Sequence, residues 1–156
     1  MPERTPRTID LQGIMNLLPH RYPLLLVDRI LDFEPKQWIR GLKNVSFGEA
    51  VFQGHFPKRP VFPGVYIVEA MAQTGGCLLL QDIEDRARKV IYFMGIDGVK
   101  FRKPVVPGDQ LIMEAKVLSL KGRICKMRGE AFVDGKKVAE AEFTSMLMDL
   151  VDGEGQ

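Results

Sequence analysis

One acidic residue interrupts a long apolar segment of the chain. Glu69 is the only charged residue between Val61 and Leu80. A buried carboxylate without a partner is costly, and it responds by binding a proton, which raises its pKa. A raised pKa would make the Glu69 carboxyl group a proton donor near neutral pH. The alternative is a structural ion pair with an arginine such as Arg29 or Arg102.

A histidine lies in a loop with a restricted backbone. His55 is one of two histidines, and it has a glycine before it and Phe56-Pro57 after it. Such neighbours limit the conformations open to the histidine. Histidine is the side chain best suited to take a proton near pH 7, although a loop histidine can equally be structural.

The third feature is the helix start that Pro63 and Gly64 predict. Free backbone N–H groups and the positive end of the helix dipole would polarise a carbonyl group there, and Gly64 would let a substrate approach closely. Together the three features supply a base, an acid and an oxyanion site, as elimination of water from a β-hydroxy thioester requires. We assign the α-carbon proton to His55, the leaving hydroxyl to Glu69 and the thioester carbonyl to the Gly64 N–H.

Hydrophobic periodicity predicts the elements that position these residues. They are a short helix capped by Asp10 and ended by Pro19, strands at 24–33 and 38–45, an irregular ordered loop at 47–63, a long buried helix at 64–81, and strands at 90–96, 110–120, 123–133 and 137–150. This order predicts an α+β fold, in which a strongly curved antiparallel sheet packs around one buried central helix. We expect a single domain over residues 1–156, with residues 1–8 and 151–156 flexible.

Side-chain alternation predicts the pairing of the last two strands. Lys126 and Arg128 would face Glu140 and Glu142 on one side of the sheet. The other side would carry Cys125, Met127, Gly129 and Ala131 beside Ala139, Ala141 and Phe143. This pairing requires a loop of odd length, for which we predict residues 134–136.

Composition excludes several classes of protein. Apolar residues make up 46% and charged residues 27% of the chain, which is typical of a globular protein, and a net charge of +2 is too small to indicate nucleic-acid binding. The apolar run 61–80 nears membrane-spanning length, but Glu69 and its polar neighbours favour a core helix. Residues 1–8 lack the apolar core of a secretory signal, so we expect a cytoplasmic protein.

No cofactor or metal is expected. The two cysteines, Cys77 and Cys125, form no C-x-x-C pattern and are expected to be buried, reduced thiols. The sequence has no G-x-S-x-G motif, Walker loop, G-x-G-x-x-G motif or cluster of metal ligands. Acyl-serine, nucleotide and nicotinamide chemistry are therefore not supported.

Five motifs follow one another along the chain: LPHRYPLLLVDR (18–29), FQGHFP (52–57), VFPGV (61–65), EAMAQ (69–73) and PVVPGD (104–109). In this order they resemble the FabZ family of (3R)-hydroxyacyl-acyl carrier protein dehydratases. The related FabA dehydratase-isomerases carry an aspartate where this chain has Glu69, which favours FabZ. The chain departs from the usual family pattern at Gly48-Glu49-Ala50 and at Lys58-Arg59.

The resemblance implies a hot-dog fold and reversible dehydration of a (3R)-hydroxyacyl-acyl carrier protein to the trans-2-enoyl product in fatty acid elongation. It also implies a homodimer in which His55 of one subunit faces Glu69 of the other, and a trimer of such dimers. Gln73, one helical turn after Glu69, is expected to hydrogen-bond to it and orient it. His20 is expected to be structural, because it lies outside the loop and helix that carry the acid and the base.

The acidic acyl carrier protein implied by this resemblance needs a basic docking surface. The candidates are Lys100, Arg102 and Lys103, with Lys58 and Arg59 in addition. Three other functions stay open at this point: an acyl-binding module without catalysis, a hot-dog thioesterase, and an enoyl hydratase that acts on coenzyme A thioesters.

Overall fold

A six-stranded antiparallel sheet and one long helix form the protein. The computed structural model describes residues 3–150. The elements are α1 (Leu11–Leu17), β1 (Arg29–Glu34), β2 (Trp38–Asn44), α2 (Gly64–Leu80), β3 (Lys89–Phe101), β4 (Gln110–Lys121), β5 (Ile124–Val133) and β6 (Lys136–Asp149), with single 3₁₀ turns at Ala50–Gln53 and Arg86–Arg88. The strand order is β1-β2-β4-β5-β6-β3. The predicted order of elements is confirmed.

The long helix α2 is the centre of the core. Eleven of its 17 residues are buried, and it packs against β2, β4, β5 and β6. Gly75 permits this close packing, because a Cβ atom there would lie 2.5 Å from the sulfur of Met127. The prediction of a buried central helix on an antiparallel sheet is confirmed.

The first predicted strand is shorter than expected. Residues 24–28 are not part of a strand, and β1 begins at Arg29. The physical reason is a side chain: Gln73 on α2 accepts a hydrogen bond from the Leu26 N–H and donates one to the Leu24 carbonyl. These backbone groups are therefore satisfied by the helix and not by a neighbouring strand.

Strand β3 extends beyond the predicted end at Ile96. Two irregularities in its pairing with β6 absorb extra residues, one between Phe93 and Gly95 and one between Asp97 and Lys100. Gly98 lies in the second with φ of +58°, a conformation that glycine adopts without strain. The strand therefore continues to Phe101 along an edge of the sheet.

The last hairpin has the predicted faces but a different loop. Met127, Gly129 and Ala131 pair with Phe143, Ala141 and Ala139, and Arg128 lies opposite Glu142. Lys126 lies opposite Thr144, although its ammonium group reaches Glu142 at 3.4 Å. The predicted three-residue loop is wrong. Val133 pairs with Lys136 across a two-residue turn, and a bulge that leaves out Val138 restores the parity.

The loop 47–63 is ordered and only partly buried. Phe52 and Phe62 are buried with ring centroids 6.2 Å apart, whereas Phe47 and Phe56 are largely exposed. Near the N-terminus, Arg4 pairs with Asp32 and Ile9 bridges to Ile30. Residues 1–8 and 151–156 were predicted to be flexible, and of these residues 1–2 and 151–156 lie outside the described part of the chain.

Both cysteines are buried free thiols. Burial raises the pKa of Cys77 to about 12 and that of Cys125 to about 11. Between residues 3 and 150, no helix combines the length and the hydropathy that crossing a membrane requires.

Candidate active site

The Glu69 side chain lies in the middle of α2 and is held through one oxygen. The Gln73 amide nitrogen donates to Glu69 Oε1 at 2.9 Å, and His20 Nε2 lies 3.4 Å from the same atom. The hydrogen bond between Gln73 and Glu69 was predicted from their spacing and is confirmed. Neither Arg29 nor Arg102 is paired with Glu69, and Arg102 pairs instead with Glu140 at 3.0 Å.

The predicted raised pKa of Glu69 is wrong. The His20 ring beside the carboxylate lowers the pKa of Glu69 most, burial acts in the opposite direction, and the Gln73 amide lowers it further, so that it falls below its ordinary value. Hydrogen-bond donors stabilise the charged form and here outweigh desolvation. Glu69 is therefore a carboxylate at neutral pH in the free chain.

The Gln73 amide uses both of its ends. Its oxygen accepts from the Leu26 N–H at 2.8 Å, and its nitrogen donates to the Leu24 carbonyl at 2.8 Å and to Glu69. The backbone groups fix which end is oxygen, because an N–H can only donate and a carbonyl can only accept. The nitrogen of Gln73 must therefore face Glu69.

His20 contacts Glu69, which the sequence did not predict. It was expected to be structural because it lies outside the loop and helix that carry the acid and the base, yet its ring lies against Glu69. His20 and Glu69 lie 49 residues apart in the chain, and no local pattern connects them. The hydrogen bonds between Gln73 and residues 24–26 are the structural reason, because they bring the segment that follows His20 against α2.

A small cavity lies in front of Glu69. Its volume is about 130 Å³, and its lining includes His20, Glu69, Gln73, Tyr92 and Phe93. A larger cavity of about 270 Å³ follows it between α2 and the sheet. Ile91 and Ser145 line both cavities, so the larger one lies directly beside the Glu69 cavity, toward the end of the helix.

His55 is held by backbone groups. Its Nδ1 lies 2.7 Å from the Val61 carbonyl oxygen, and its amide N–H donates to Val51 at 3.0 Å. A carbonyl can only accept, so Nδ1 carries the proton and, in the neutral ring, Nε2 has a free lone pair. The ring stacks on Phe56 with centroids 4.0 Å apart, and the peptide bond between these two residues is cis.

Gly64 is the first residue of α2, as predicted. Within residues 3–150, its N–H donates no hydrogen bond. A Cβ atom on Gly64 would lie 2.7 Å from the ring of Phe101, so the space beside it is occupied by that ring. The absence of a side chain is thus used for packing, in addition to any role in substrate approach.

His55 and Glu69 line different cavities of the single chain. The cavity of His55 has a volume of about 500 Å³ and includes Gly64 and Phe101. The predicted acid and base are therefore not brought together within one copy, whereas Glu69 with Gln73, and His55 with Gly64, are.

The predicted docking residues lie near the His55 cavity. Arg102 and Lys103 line it, and Lys100 is exposed on β3. Lys58 and Arg59 are exposed in the loop after His55. Arg102 is partly neutralised by Glu140, so Lys103 is the more available cation of the two in the cavity wall.

Comparison with known proteins places this arrangement in a family. The FabA-like domain matches residues 18–142. A 3-hydroxyacyl-[acyl-carrier-protein] dehydratase FabZ from Aliarcobacter butzleri is 52% identical over 145 residues, covering 90% of this chain and 99% of the relative. One with the same name from Campylobacter hominis is 51% identical over 143 residues, with 90% and 99% coverage.

A solved structure supports the fold. The dehydratase heterocomplex ApeI:P from Xenorhabdus doucetiae aligns with a TM-score of 0.73 and 16% identity, over 94% of this chain and 93% of the other. The predicted hot-dog fold is confirmed. On these grounds the chain belongs to the FabZ-type 3-hydroxyacyl-acyl carrier protein dehydratases of the FabA-like family.

Proposed function

We propose that this protein reversibly converts (3R)-hydroxyacyl-acyl carrier protein to trans-2-enoyl-acyl carrier protein and water in fatty acid elongation. The observation that carries the proposal is the Glu69 carboxylate, fixed by Gln73 at the wall of a cavity that borders a second, largely apolar space. An acyl chain bound in that space would present its β-carbon near the carboxyl group. No cofactor is required by the steps.

The chemistry divides between His55 and Glu69. Nε2 of His55 takes the α-proton, the electrons of that C–H bond form the double bond, and the bond from the β-carbon to the hydroxyl oxygen breaks. Protonated Glu69 gives its proton to the departing hydroxide, and water leaves. The Gly64 N–H donates to the thioester oxygen while negative charge develops there. In hydration the ionised Glu69 takes a proton from water, the hydroxide oxygen bonds to the β-carbon as the π bond of the enoyl group breaks, and protonated His55 gives its proton to the α-carbon.

The ionised Glu69 of the free protein is the form from which hydration starts, whereas dehydration starts from the protonated form. Binding an apolar acyl chain removes water from the carboxylate, and desolvation favours its protonated form. Substrate binding would thus help to prepare the acid that dehydration needs.

A homodimer would bring the two groups together. Strand β3 is at the sheet edge and carries exposed apolar side chains, among them Tyr92, Phe93 and Phe101. Tyr92 and Phe93 line the Glu69 cavity, and Phe101 lines the His55 cavity. If two copies pair antiparallel along β3, the Glu69 cavity of one lies beside the His55 cavity of the other. The trimer of dimers stays a prediction from family resemblance.

The test of the reaction follows the absorbance of the conjugated enoyl thioester. Purified protein is mixed with crotonyl or 3-hydroxybutyryl carrier protein, and free thiol is assayed in parallel. A change in absorbance without thiol release supports the proposal. Thiol release would indicate a thioesterase, and acyl-carrier binding without either signal would indicate a binding module. Comparison with the coenzyme A thioesters tests carrier preference.

The shared site has its own test. His55→Ala and Glu69→Gln are purified separately as inactive proteins and then mixed under conditions that exchange subunits. A mixed dimer has one intact site if each site takes His55 from one copy and Glu69 from the other, so activity should return. Mixed dimers shown to form but without activity would refute the shared site.

A further inference from the structure

The His20 side chain contacts the active-site carboxylate from a segment that is independently anchored. The guanidinium of Arg21 donates to the carbonyls of Leu18 at 2.8 Å, His20 at 2.7 Å and Met15 at 3.0 Å. The Arg21 side chain therefore links the backbone around His20 to the end of α1. A side chain on such a segment can hold a partner with little loss of conformational freedom.

The surroundings of the ring favour one tautomer. His20 Nδ1 is buried and has no hydrogen-bond partner among residues 3–150. A proton on Nδ1 would be a buried donor without an acceptor, which is unfavourable. With the proton on Nε2 instead, Nδ1 is a bare lone pair, and Nε2 lies 3.4 Å from Glu69 Oε1.

The two donors leave one carboxylate oxygen free. Gln73 and His20 both contact Glu69 Oε1. Within the described part of the chain, Oε2 accepts no hydrogen bond and is not among the buried unpaired atoms, so it remains accessible. Glu69 lines the cavity, and Oε2 is therefore the oxygen available for proton exchange.

We propose that His20 is a positioning residue for dehydration, whose Nε2–H together with the Gln73 amide fixes Oε1 of Glu69 and leaves Oε2 to exchange the proton with the β-oxygen of the substrate. This inference rests on the proposed function. It assigns to His20 an effect that acts through Glu69. The titratable groups at this cavity are His20 and Glu69 themselves and Tyr92 of β3.

The test compares two amides of different length. The amide nitrogen of glutamine in His20→Gln can reach the place of Nε2, whereas that of asparagine in His20→Asn ends near Nδ1 and cannot reach Glu69. For His20→Asn we expect kcat for hydration of crotonyl-acyl carrier protein to fall about tenfold, with KM changed less than about twofold. The acidic limb of the pH profile of kcat, which Glu69 sets, should move to higher pH, because the largest cause of the lowered Glu69 pKa has been removed. The alkaline limb should stay in place.

His20→Gln should recover most of the lost rate and return the acidic limb toward its original position. A fall in kcat without movement of the acidic limb would make His20 merely structural and overturn the proposal. Equal loss in both variants would show that an N–H donor at the place of Nε2 does not restore the rate, and would overturn the proposal as well. His20→Leu takes the place of His20→Asn if thermal unfolding shows that the asparagine variant does not fold.

Failure of the proposed function gives a different result. Wild-type protein that neither hydrates the crotonyl substrate nor dehydrates the 3-hydroxybutyryl substrate overturns the function, and this proposal with it. Active wild-type protein that is indifferent to both His20 variants overturns only the role of His20.

Discussion

Glu69 and His55 are positioned by different kinds of contact. Glu69, on a buried helix, is held by the side chains of His20 and Gln73. His55, on a loop, is held through the backbone of Val61 and Val51. Side-chain substitutions can therefore disturb Glu69 through its neighbours, whereas no side-chain deletion removes the acceptor of His55.

The difference also bears on charge. Side-chain donors lower the pKa of Glu69, so replacing them changes its protonation as well as its position. The backbone carbonyl that faces His55 is uncharged and selects which ring nitrogen carries the proton. We infer that the identity of neighbouring side chains sets the protonation and position of Glu69 on the helix, whereas backbone conformation sets those of His55 on the loop.

Removing either reacting group should have the largest effect. We expect Glu69→Gln and His55→Ala each to lower kcat by about 10²–10⁴, because each deletes one partner of the proton transfers. Glutamine at position 69 keeps an oxygen that can accept from Gln73, so the fold should persist. The measurement is kcat for the enoyl carrier substrate beside thermal unfolding. Folded variants with near wild-type kcat would contradict the assignment.

The next largest effect should come from replacing Gln73 on α2. Gln73→Leu leaves the buried Leu26 N–H and the Leu24 carbonyl without their partner, and one such group costs about 1–3 kcal/mol. We expect a loss of that size in the free energy of unfolding, measured in urea, and a clear fall in kcat.

The matched control is Gln81→Leu, at the end of the same helix. The side-chain nitrogen of Gln81 is buried and has no partner within residues 3–150. Its removal should leave the free energy of unfolding unchanged or slightly raised. Equal losses in the two variants would mean that the hydrogen bonds of Gln73 add nothing specific.

How far the sequence predicted this site depends on the range of each contact. Glu69 and Gln73 are four residues apart on a helix, so their contact follows from helix geometry. The contact between His20 and Glu69 depends on how residues 24–28 fold back onto α2, which no local pattern encodes. The prediction of a raised pKa for Glu69 was wrong for the same reason, because the main cause of the lowered pKa is His20, which is distant in the sequence.

The fold likewise divides into features that a local pattern predicts and features that depend on distant contacts or on turn geometry. Alternation of apolar and polar residues predicted the faces of β5 and β6, because the period of a strand is fixed. The turn could not be predicted from parity, since a three-residue loop and a two-residue turn with a bulge at Val138 shift the register equally. The hydrophobic run that predicted a strand from residue 24 likewise carried no information about Gln73.

A smaller effect is expected near His55, where basic residues are proposed to dock the carrier protein. Lys103→Glu reverses a charge in the wall of the His55 cavity. We expect the KM for the acidic carrier substrate to rise several-fold at low salt, with kcat nearly unchanged, and the effect to shrink as salt is added. Lys116→Glu on β4, opposite Arg128, is the control and should leave KM unaltered. Similar KM changes in both would exclude a local docking surface.

The smallest expected difference concerns acid stability, which should involve Glu69. The pKa of Glu69 is lowered from 4.5 in the folded chain, so the ionised group stabilises the fold above that value, and this contribution is lost as pH falls through the lowered pKa. Wild type should therefore lose more free energy of unfolding than Glu69→Gln between about pH 6.5 and about pH 3.5, in urea titrations at one protein concentration. Three other carboxylates with lowered pKa, Asp32, Glu140 and Asp149, are common to both proteins and cancel in the comparison. Equal losses would mean that the donors around Glu69 position it without stabilising its charge.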